Sequence, residues 1–111
     1  MAGQFEILTG KKGKCHFVLK AVNRQVILTS ETYESKAACK VGIASVKKNA
    51  AREGAFDRKT AKDGRTYFTL VATNREIIGT SQMYASPSGR ANGIRSVKAN
   101  APKAAVVDLT E

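Results

Sequence analysis

The ten residues VGIASVKKNA at 41–50 return almost unchanged as NGIRSVKANA at 92–101. The same shift of 51 residues aligns the surrounding sequence with itself without a gap. A repeat of this length is typical of a duplicated supersecondary unit. The sequence therefore predicts two copies of one unit, at 4–51 and 55–102, followed by a C-terminal strand at 103–111 that completes the second copy.

Each copy begins with three predicted strands that are joined by short turns. In the first copy these are QFEILT at 4–9, CHFVLKAV at 15–22 and QVILTS at 25–30. Apolar and polar residues alternate along the second segment, as they do in a strand with one buried face. Gly13 can take the positive φ that the first turn needs. Asn23 tolerates the left-handed conformation, and we expect it to take that conformation in the second turn.

A helix is predicted after the third strand of each copy. Ser35 and Ser86 stand where an N-cap belongs, because a hydroxyl there can accept from the first free amides of a helix. Asn49 and Asn100 stand at the other end, where we expect each of them to close its helix in a left-handed conformation.

Gly42 and Gly93 occupy the same place inside the two predicted helices. A glycine in a helix interior costs about 1 kcal/mol relative to alanine. We interpret the repeated glycine as a point of close packing, where the helix backbone lies on a strand or on the other helix. The alternative is an ancestral residue retained without consequence.

A unit of about 50 residues is too small to hide its own apolar surface. We therefore expect one compact α+β domain over 1–111, in which two copies with pseudo-twofold symmetry share one sheet and place both helices on one face. The predicted core consists of apolar residues from one copy and their partners in the other: Phe5, Phe17, Leu19, Ile27, Ile43 and Val46, with Phe56, Phe68, Leu70, Ile78, Ile94 and Val97.

Two long segments carry a family resemblance. TSETYESKAACKVGIASVKKNA at 29–50 and TSQMYASPSGRANGIRSVKANA at 80–101 resemble the YegP family of small bacterial proteins, which consist of a tandem domain of unknown function. The resemblance implies two tandem β3-α-β repeats that form one antiparallel sheet and swap their C-terminal strands. It implies no activity and no functional residue.

The charge of the chain is its most unusual property. Nineteen Lys and Arg stand against nine Asp and Glu, which gives a formal net charge of +10 for the 111 residues. Such a surface attracts polyanions and accelerates encounter with them. No apolar run approaches the ~20 residues that span a bilayer, and the start does not read as a signal peptide. We therefore expect a cytoplasmic protein with no membrane partner.

The sequence offers little for catalysis. His16 is the only histidine, and its neighbour Cys15 would point to the opposite face of a strand, so the two would not form a nucleophile–base pair. Cys15 and Cys39 belong to no CxxC pattern, and we expect both to be structural. We predict no catalytic residue, no metal site, no cofactor and no enzymatic activity.

Basic residues form loose groups that could contact phosphates. The candidates for a polyanion site are Lys11, Lys12, Lys14, Arg24, Lys47, Lys48, Arg58, Lys59, Lys62, Arg65, Arg75, Arg90, Arg95 and Lys98. Aromatic residues make up only 6% of the chain, so stacking on bases has few candidates. Two functions stay open: a non-catalytic basic module that binds nucleic acid or another polyanion, and a protein-interaction or structural module whose basic surface is merely solvated.

Several polar residues are also duplicated, among them Asn23, Ser30, Tyr33 and Ser45 with their partners 51 residues later. A symmetric ligand could use them in pairs. Structural roles are the stronger expectation, because Asn closes turns, Ser caps helices and Tyr anchors loops to a core. We expect a monomer that is an internal pseudo-dimer.

Overall fold

Each copy of the repeat forms three strands and a helix, and one further strand follows the second copy. The computed structural model describes residues 3–52 and 54–110, and the side chain of Lys11 lies outside its description. The elements in chain order are β1 (Gln4–Thr9), β2 (Cys15–Lys20), β3 (Val26–Ser30), α1 (Lys36–Ala50), β4 (Phe56–Thr60), β5 (Thr66–Val71), β6 (Ile77–Thr80), α2 (Pro87–Asn100) and β7 (Ala105–Asp108).

The seven strands form one sheet in the order β4-β5-β6-β3-β2-β1-β7. The strand that follows α1 pairs within the second copy, and β7, which follows α2, pairs with β1 of the first copy, so the C-terminal strands are swapped as the resemblance implies. The pairing of β7 with β1 is parallel, and the other pairings are antiparallel. The sheet is therefore mixed and not wholly antiparallel, which corrects the antiparallel sheet that the resemblance implies.

Both helices lie on one face of this sheet. The strand register places Phe17, Leu28 and Phe68 on the same face, and both helices pack there over a single apolar cluster that draws on both copies. Each of the twelve residues predicted for the core is 8% exposed or less. The expectation of one shared core is confirmed. We call the other side of the sheet the open sheet face.

The two copies meet where β3 pairs with β6, through Thr29 with Thr80 and Ser30 with Gly79. Thr29 and Thr80 are equivalent residues, so the pseudo-twofold axis passes beside this pair. Leu28 and Gly79 are also equivalent, and they touch each other across the axis. Leu28 is fully buried, and a Cβ on Gly79 would lie 2.8 Å from its Cγ. Only one of these two positions can therefore hold a large side chain.

The predicted helix starts are confirmed, and the predicted helix ends are wrong. The Ser35 and Ser86 hydroxyls each accept a backbone N–H at 3.1 Å. Asn49 and Asn100 are not left-handed: Asn49 lies inside α1, and Asn100 has φ −90° and ψ −41°. Each buried side-chain amide donates to the carbonyl of Ser45 or Ser96 one turn earlier, at 2.9 and 2.8 Å. Both side chains are thus engaged within their own helices, and the C-cap of α1, Ala51, is right-handed with φ −86° and ψ −8°.

The repeated helix glycine marks close packing, as predicted, but its contacts are side chains. A Cβ on Gly93 would lie 2.6 Å from Cζ of Tyr84 and 3.1 Å from Cε2 of Phe68. The Tyr84 and Phe68 rings are stacked against each other under the helix. Gly42 meets Tyr33 in the same way in the first copy. The tyrosine after the third strand therefore supports the helix of its own copy.

Replacing Gly93 by Ala should destabilise the protein by about 1–3 kcal/mol, because the added methyl overpacks the tyrosine ring. Gly89→Ala in the same helix is the matched control, since its nearest contact would be an ordinary 3.5 Å. That variant should be neutral or stabilised by up to about 1 kcal/mol. Urea unfolding measures both changes, and equal effects of the two substitutions would contradict the packing argument.

The contact across the axis predicts that two harmful substitutions compensate each other. Gly79→Leu should clash with Leu28, and Leu28→Gly should leave a cavity that costs about 2–5 kcal/mol. The double variant combines Leu28→Gly with Gly79→Leu, so the leucine side chain now comes from position 79. Its loss of stability should be well below the sum of the two single losses. Chemical unfolding of the three variants gives the coupling, and simple additivity would refute it.

Candidate nucleic-acid interface

The two helices carry basic side chains and no acidic ones. Four Lys lie in α1, and two Arg and one Lys lie in α2. The exposed members are Lys36, Lys40, Lys48, Arg95 and Lys98. Because this layer has no carboxylate of its own, its positive charge is compensated only by groups that reach it from other elements, as Asp108 reaches Lys36 at 2.9 Å.

Two of the helical cations also support the core. The amino groups of Lys47 and Lys98 lie over the rings of Phe5 and Phe56, 5.9 and 5.7 Å from the ring centres. These equivalent contacts close the outer ends of the core in both copies. The guanidinium of Arg90 donates to the carbonyl of Lys59 at 2.9 Å and ties α2 to β4. Arg90 and Lys47 are half-buried and are therefore less available to a ligand than the exposed cations.

The open sheet face is close to neutral. Its charges stand in pairs: Lys20 contacts Glu6 at 3.0 Å, and Lys59 contacts Asp57 at 3.3 Å. The hydrogen bond from Lys20 holds the pKa of the buried Glu6 carboxyl below its usual value, so the pair stays ionised at neutral pH. Arg24 is a further cation beside Glu6, so ion pairs compensate most but not all of the positive charge at this face.

The hairpin turns hold the next group of predicted site residues. Lys12 and Lys14 lie in the β1–β2 turn, and Lys62 and Arg65 lie in the β4–β5 turn. Lys14 contacts Glu34 at 3.1 Å, and Arg65 contacts Asp63 at 2.7 Å. Arg58 lies apart from both turns, on the outermost strand β4. The thirteen predicted residues whose side chains are described thus spread over several regions, and among them only the helical members form a surface without carboxylates of its own.

Arg24 and Arg75 stand in strained turns. Their φ angles are 70° and 71°, in the left-handed region. The prediction that Asn23 takes this conformation is wrong for a local reason. The Asn23 side chain accepts from the backbone N–H of Gln25 at 3.1 Å, and this leaves the left-handed position of the turn to the residue between them. Both copies therefore place an exposed arginine where glycine would be less strained.

A groove of about 310 Å³ lies between the β2–β3 turn and α2, and we call it the first groove. Amide side chains line it: Asn23 and Gln25 from the turn, Gln82 from the segment after β6, and Asn92 from the helix. Arg24 lies between the first two of these in sequence. The sequence analysis missed Gln25, Gln82 and Asn92. The signal that could have found them is that the two otherwise similar copies differ at these three positions.

Other duplicated polar residues have structural partners in both copies. The Ser30 and Ser81 hydroxyls accept from the backbone N–H groups of Phe17 and Phe68, at 2.8 and 3.0 Å. Asn74 repeats the turn contact of Asn23 by accepting from Glu76 at 3.0 Å. These contacts stabilise turns and strand ends, as the structural interpretation expects.

Both cysteines belong to the core cluster. Cys15 and Cys39 are free thiols and are buried. Burial, reinforced by the neighbouring Cys15, raises the pKa of the Cys39 thiol to about 11, so this residue carries no nucleophilic thiolate at neutral pH. Over residues 3–52 and 54–110, no cluster of three His, Cys, Asp or Glu is placed to hold a metal ion. In the same residues, no helix combines the length and the apolarity that a bilayer crossing requires.

The fold and its charged surface define the protein as a tandem-repeat α+β module with one shared sheet and a basic helical layer. The chain belongs to the DUF1508 family. The model of that family, described as a domain of unknown function, matches twice in tandem, at residues 11–57 and 61–108.

Relatives of this family match the chain over its length. The UPF0339 protein YegP of Escherichia coli strain K12 is 49% identical, with 99% of this chain and 100% of the relative covered. A UPF0339 protein of Bordetella pertussis is 50% identical, with 100% of this chain and 99% of the relative covered. The solution NMR structure of E. coli YegP has a TM-score of 0.93 at 49% identity and covers 99% of this chain and 95% of that chain. A UPF0339 protein of Shewanella oneidensis has the same TM-score at 44% identity and covers 99% and 93% of the two chains.

Removing the strained arginine should stabilise the fold. Arg24→Gly should raise the free energy of unfolding by about 0.5–1 kcal/mol, because glycine relieves the left-handed conformation at some cost in unfolded-chain entropy. Arg24→Ala is the matched control, since it removes the same charge but keeps a Cβ in the same conformation. Thermal unfolding measures both, and an equal gain from the alanine would show that charge, not backbone strain, sets the effect.

Proposed function

We propose that this protein is a non-catalytic module that binds nucleic acid through its two helices. The observation that carries the proposal is the segregation of charge: the helices hold seven Lys and Arg and no carboxylate, while the open sheet face pairs its charges. Binding to phosphates needs only such a surface, and each contact releases counterions from the nucleic acid.

The strained arginines support the same function. A residue held in the left-handed region costs about 1–2 kcal/mol, and both copies of the repeat bear this cost at Arg24 and Arg75. Both side chains are exposed. A strained and exposed residue points to a function outside the fold, and contact with phosphate is one function that suits a guanidinium. The free thiols Cys15 and Cys39 support a reducing compartment, and we propose the cytoplasm.

A second candidate function is protein interaction along the outer edge of β7. Val106 and Leu109 are 45% and 49% exposed, and β7 is the last strand of the sheet on its side. An edge strand with exposed apolar side chains can accept a strand from a partner. This function predicts a protein ligand and no affinity for nucleic acid.

The helical interface predicts a loss of binding that depends on where charge is removed. Lys40→Gln, Lys48→Gln, Arg95→Gln and Lys98→Gln together should weaken binding to a labelled random-sequence duplex about tenfold or more, and should lower the slope of log affinity against log salt by about 0.9 per lost contact. All four residues are exposed, and the core contact that is lost, Lys98 over the Phe56 ring, is worth about 0.5–1 kcal/mol at an exposed site, so the fold should persist. Fluorescence anisotropy at about 50 and about 150 mM salt measures both quantities.

The matched control removes the same number of charges from the turns, through Lys12→Gln, Lys14→Gln, Lys62→Gln and Arg65→Gln. Both variants then have the same net charge, and the control should bind nearly as well as the parent protein. Equal weakening of the two variants would refute a helical interface. A parent affinity weaker than about 100 μM for both duplex and single strand at about 150 mM salt would remove the proposed function and leave the second candidate.

A further inference from the structure

The first groove has an equivalent in the other copy, and the two differ in chemistry. The equivalent positions lie between the β5–β6 turn and α1, and we call this the second groove. Asn23, Tyr84 and Ser96 of the first groove match Asn74, Tyr33 and Ser45 of the second. The remaining polar positions differ between the two grooves. Glu76, Glu31 and Val41 of the second groove stand at the positions of Gln25, Gln82 and Asn92 of the first.

The carboxylates of the second groove lie close enough to act on its tyrosine. Burial raises the pKa of Tyr33, and the neighbouring Cys39, Glu31 and Glu76 raise it further. Neither glutamate belongs to an ion pair in the described residues. The second groove is therefore acidic and repels phosphate, whereas amides make the first groove neutral.

Arg95 stands beside the first groove, because it precedes the lining residue Ser96 in α2, and its side chain is exposed. Arg24 lies between Asn23 and Gln25 in sequence, but it lines a separate pocket together with Glu6 and Lys20. Ala44 stands at the position of Arg95 in the second groove. The first groove therefore has a neighbouring helical guanidinium that the second groove lacks.

Asn and Gln amides read the edges of nucleobases, because each offers a donor and an acceptor side by side. Guanidinium groups bind phosphate through paired N–H donors. The volume of about 310 Å³ is at the lower end of small-ligand sites, which suits a single nucleotide unit.

We propose that the first groove binds one nucleotide of a single-stranded nucleic acid, with the base against Gln25, Gln82 and Asn92 and the phosphate at Arg95. This inference rests on the proposed function and gives it a specific site. It makes the chain functionally asymmetric: despite two copies of the fold, it holds one nucleotide site.

The test uses the full chain and a fluorescein-labelled single-stranded hexanucleotide of mixed sequence. Gln25→Glu with Gln82→Glu gives the first groove the carboxylates of the second, and it should weaken binding about tenfold or more. The matched control, Lys12→Gln with Lys62→Gln, lowers the net charge by the same amount outside both grooves and should weaken binding less than about twofold. All four positions are exposed, so the variants should fold.

A gain of function completes the test. Glu31→Gln, Val41→Asn, Ala44→Arg and Glu76→Gln give the second groove the side chains of the first. This variant should bind two nucleotide units where the parent binds one, as measured by titration with AMP. Backbone amide shifts should then appear at 31–45 and 74–76, in addition to those at 21–27 and 82–96 that the parent shows.

The outcomes separate the site from the general function. If the parent binds the hexanucleotide with steep salt dependence but the groove variant matches its control, the groove inference is wrong and the helical interface stands. If inorganic polyphosphate produces the same amide shifts and competes equally well, the groove binds phosphate without reading a base, and the inference is again wrong. If the parent binds neither ligand, both proposals fall.

Discussion

The structure depends on one contact across its pseudo-twofold axis, between Leu28 and Gly79. Equivalent residues of a duplicated unit face each other at such an axis, so a large side chain in one copy occupies the space of its counterpart. Leu28 fills that space and is fully buried, and Gly79 leaves room for it. This complementarity allows β3 and β6 to pair. The paired strands make one sheet from two half-sheets, and both helices pack on its single core.

The two ends of the sheet show how duplicated segments diverge when their surroundings differ. In the first copy β1 carries Ile7, which is fully buried, and β7 covers its outer edge. In the second copy Arg58 stands at the equivalent position of β4, which forms an edge of the sheet. Asp57 and Lys59 flank it. Charged side chains on an uncovered strand oppose edge-to-edge association with other chains. This position of the repeat is thus apolar in β1, whose outer edge is covered, and charged in β4, whose outer edge is exposed.

The repeat made most of the fold predictable, because it is a global signal. Both copies had to share a sheet and a core, and every residue predicted for that core is buried. The errors came from local side-chain hydrogen bonds, which the repeat does not reveal. Asn100 was expected to end its helix in a left-handed conformation, but its buried amide bonds one turn back. Arg24 takes the left-handed conformation that was expected of Asn23. The side chain of Asn23 instead accepts a hydrogen bond from the backbone N–H of Gln25. The site was harder to predict, because its amides stand at positions where the two copies differ, whereas the repeat is recognised by the positions where they agree.

The partnership of β7 with β1 has a consequence for how the chain is made. The ribosome synthesises β1 early, but β7, which covers the outer edge of β1, is synthesised roughly a hundred residues later. Until then, Phe5 and Ile7 lack their outer neighbour, and the early half of the molecule cannot mature alone. Closing so long a loop carries a large entropic cost and slows folding. Completion of this fold therefore waits until β7 has been synthesised.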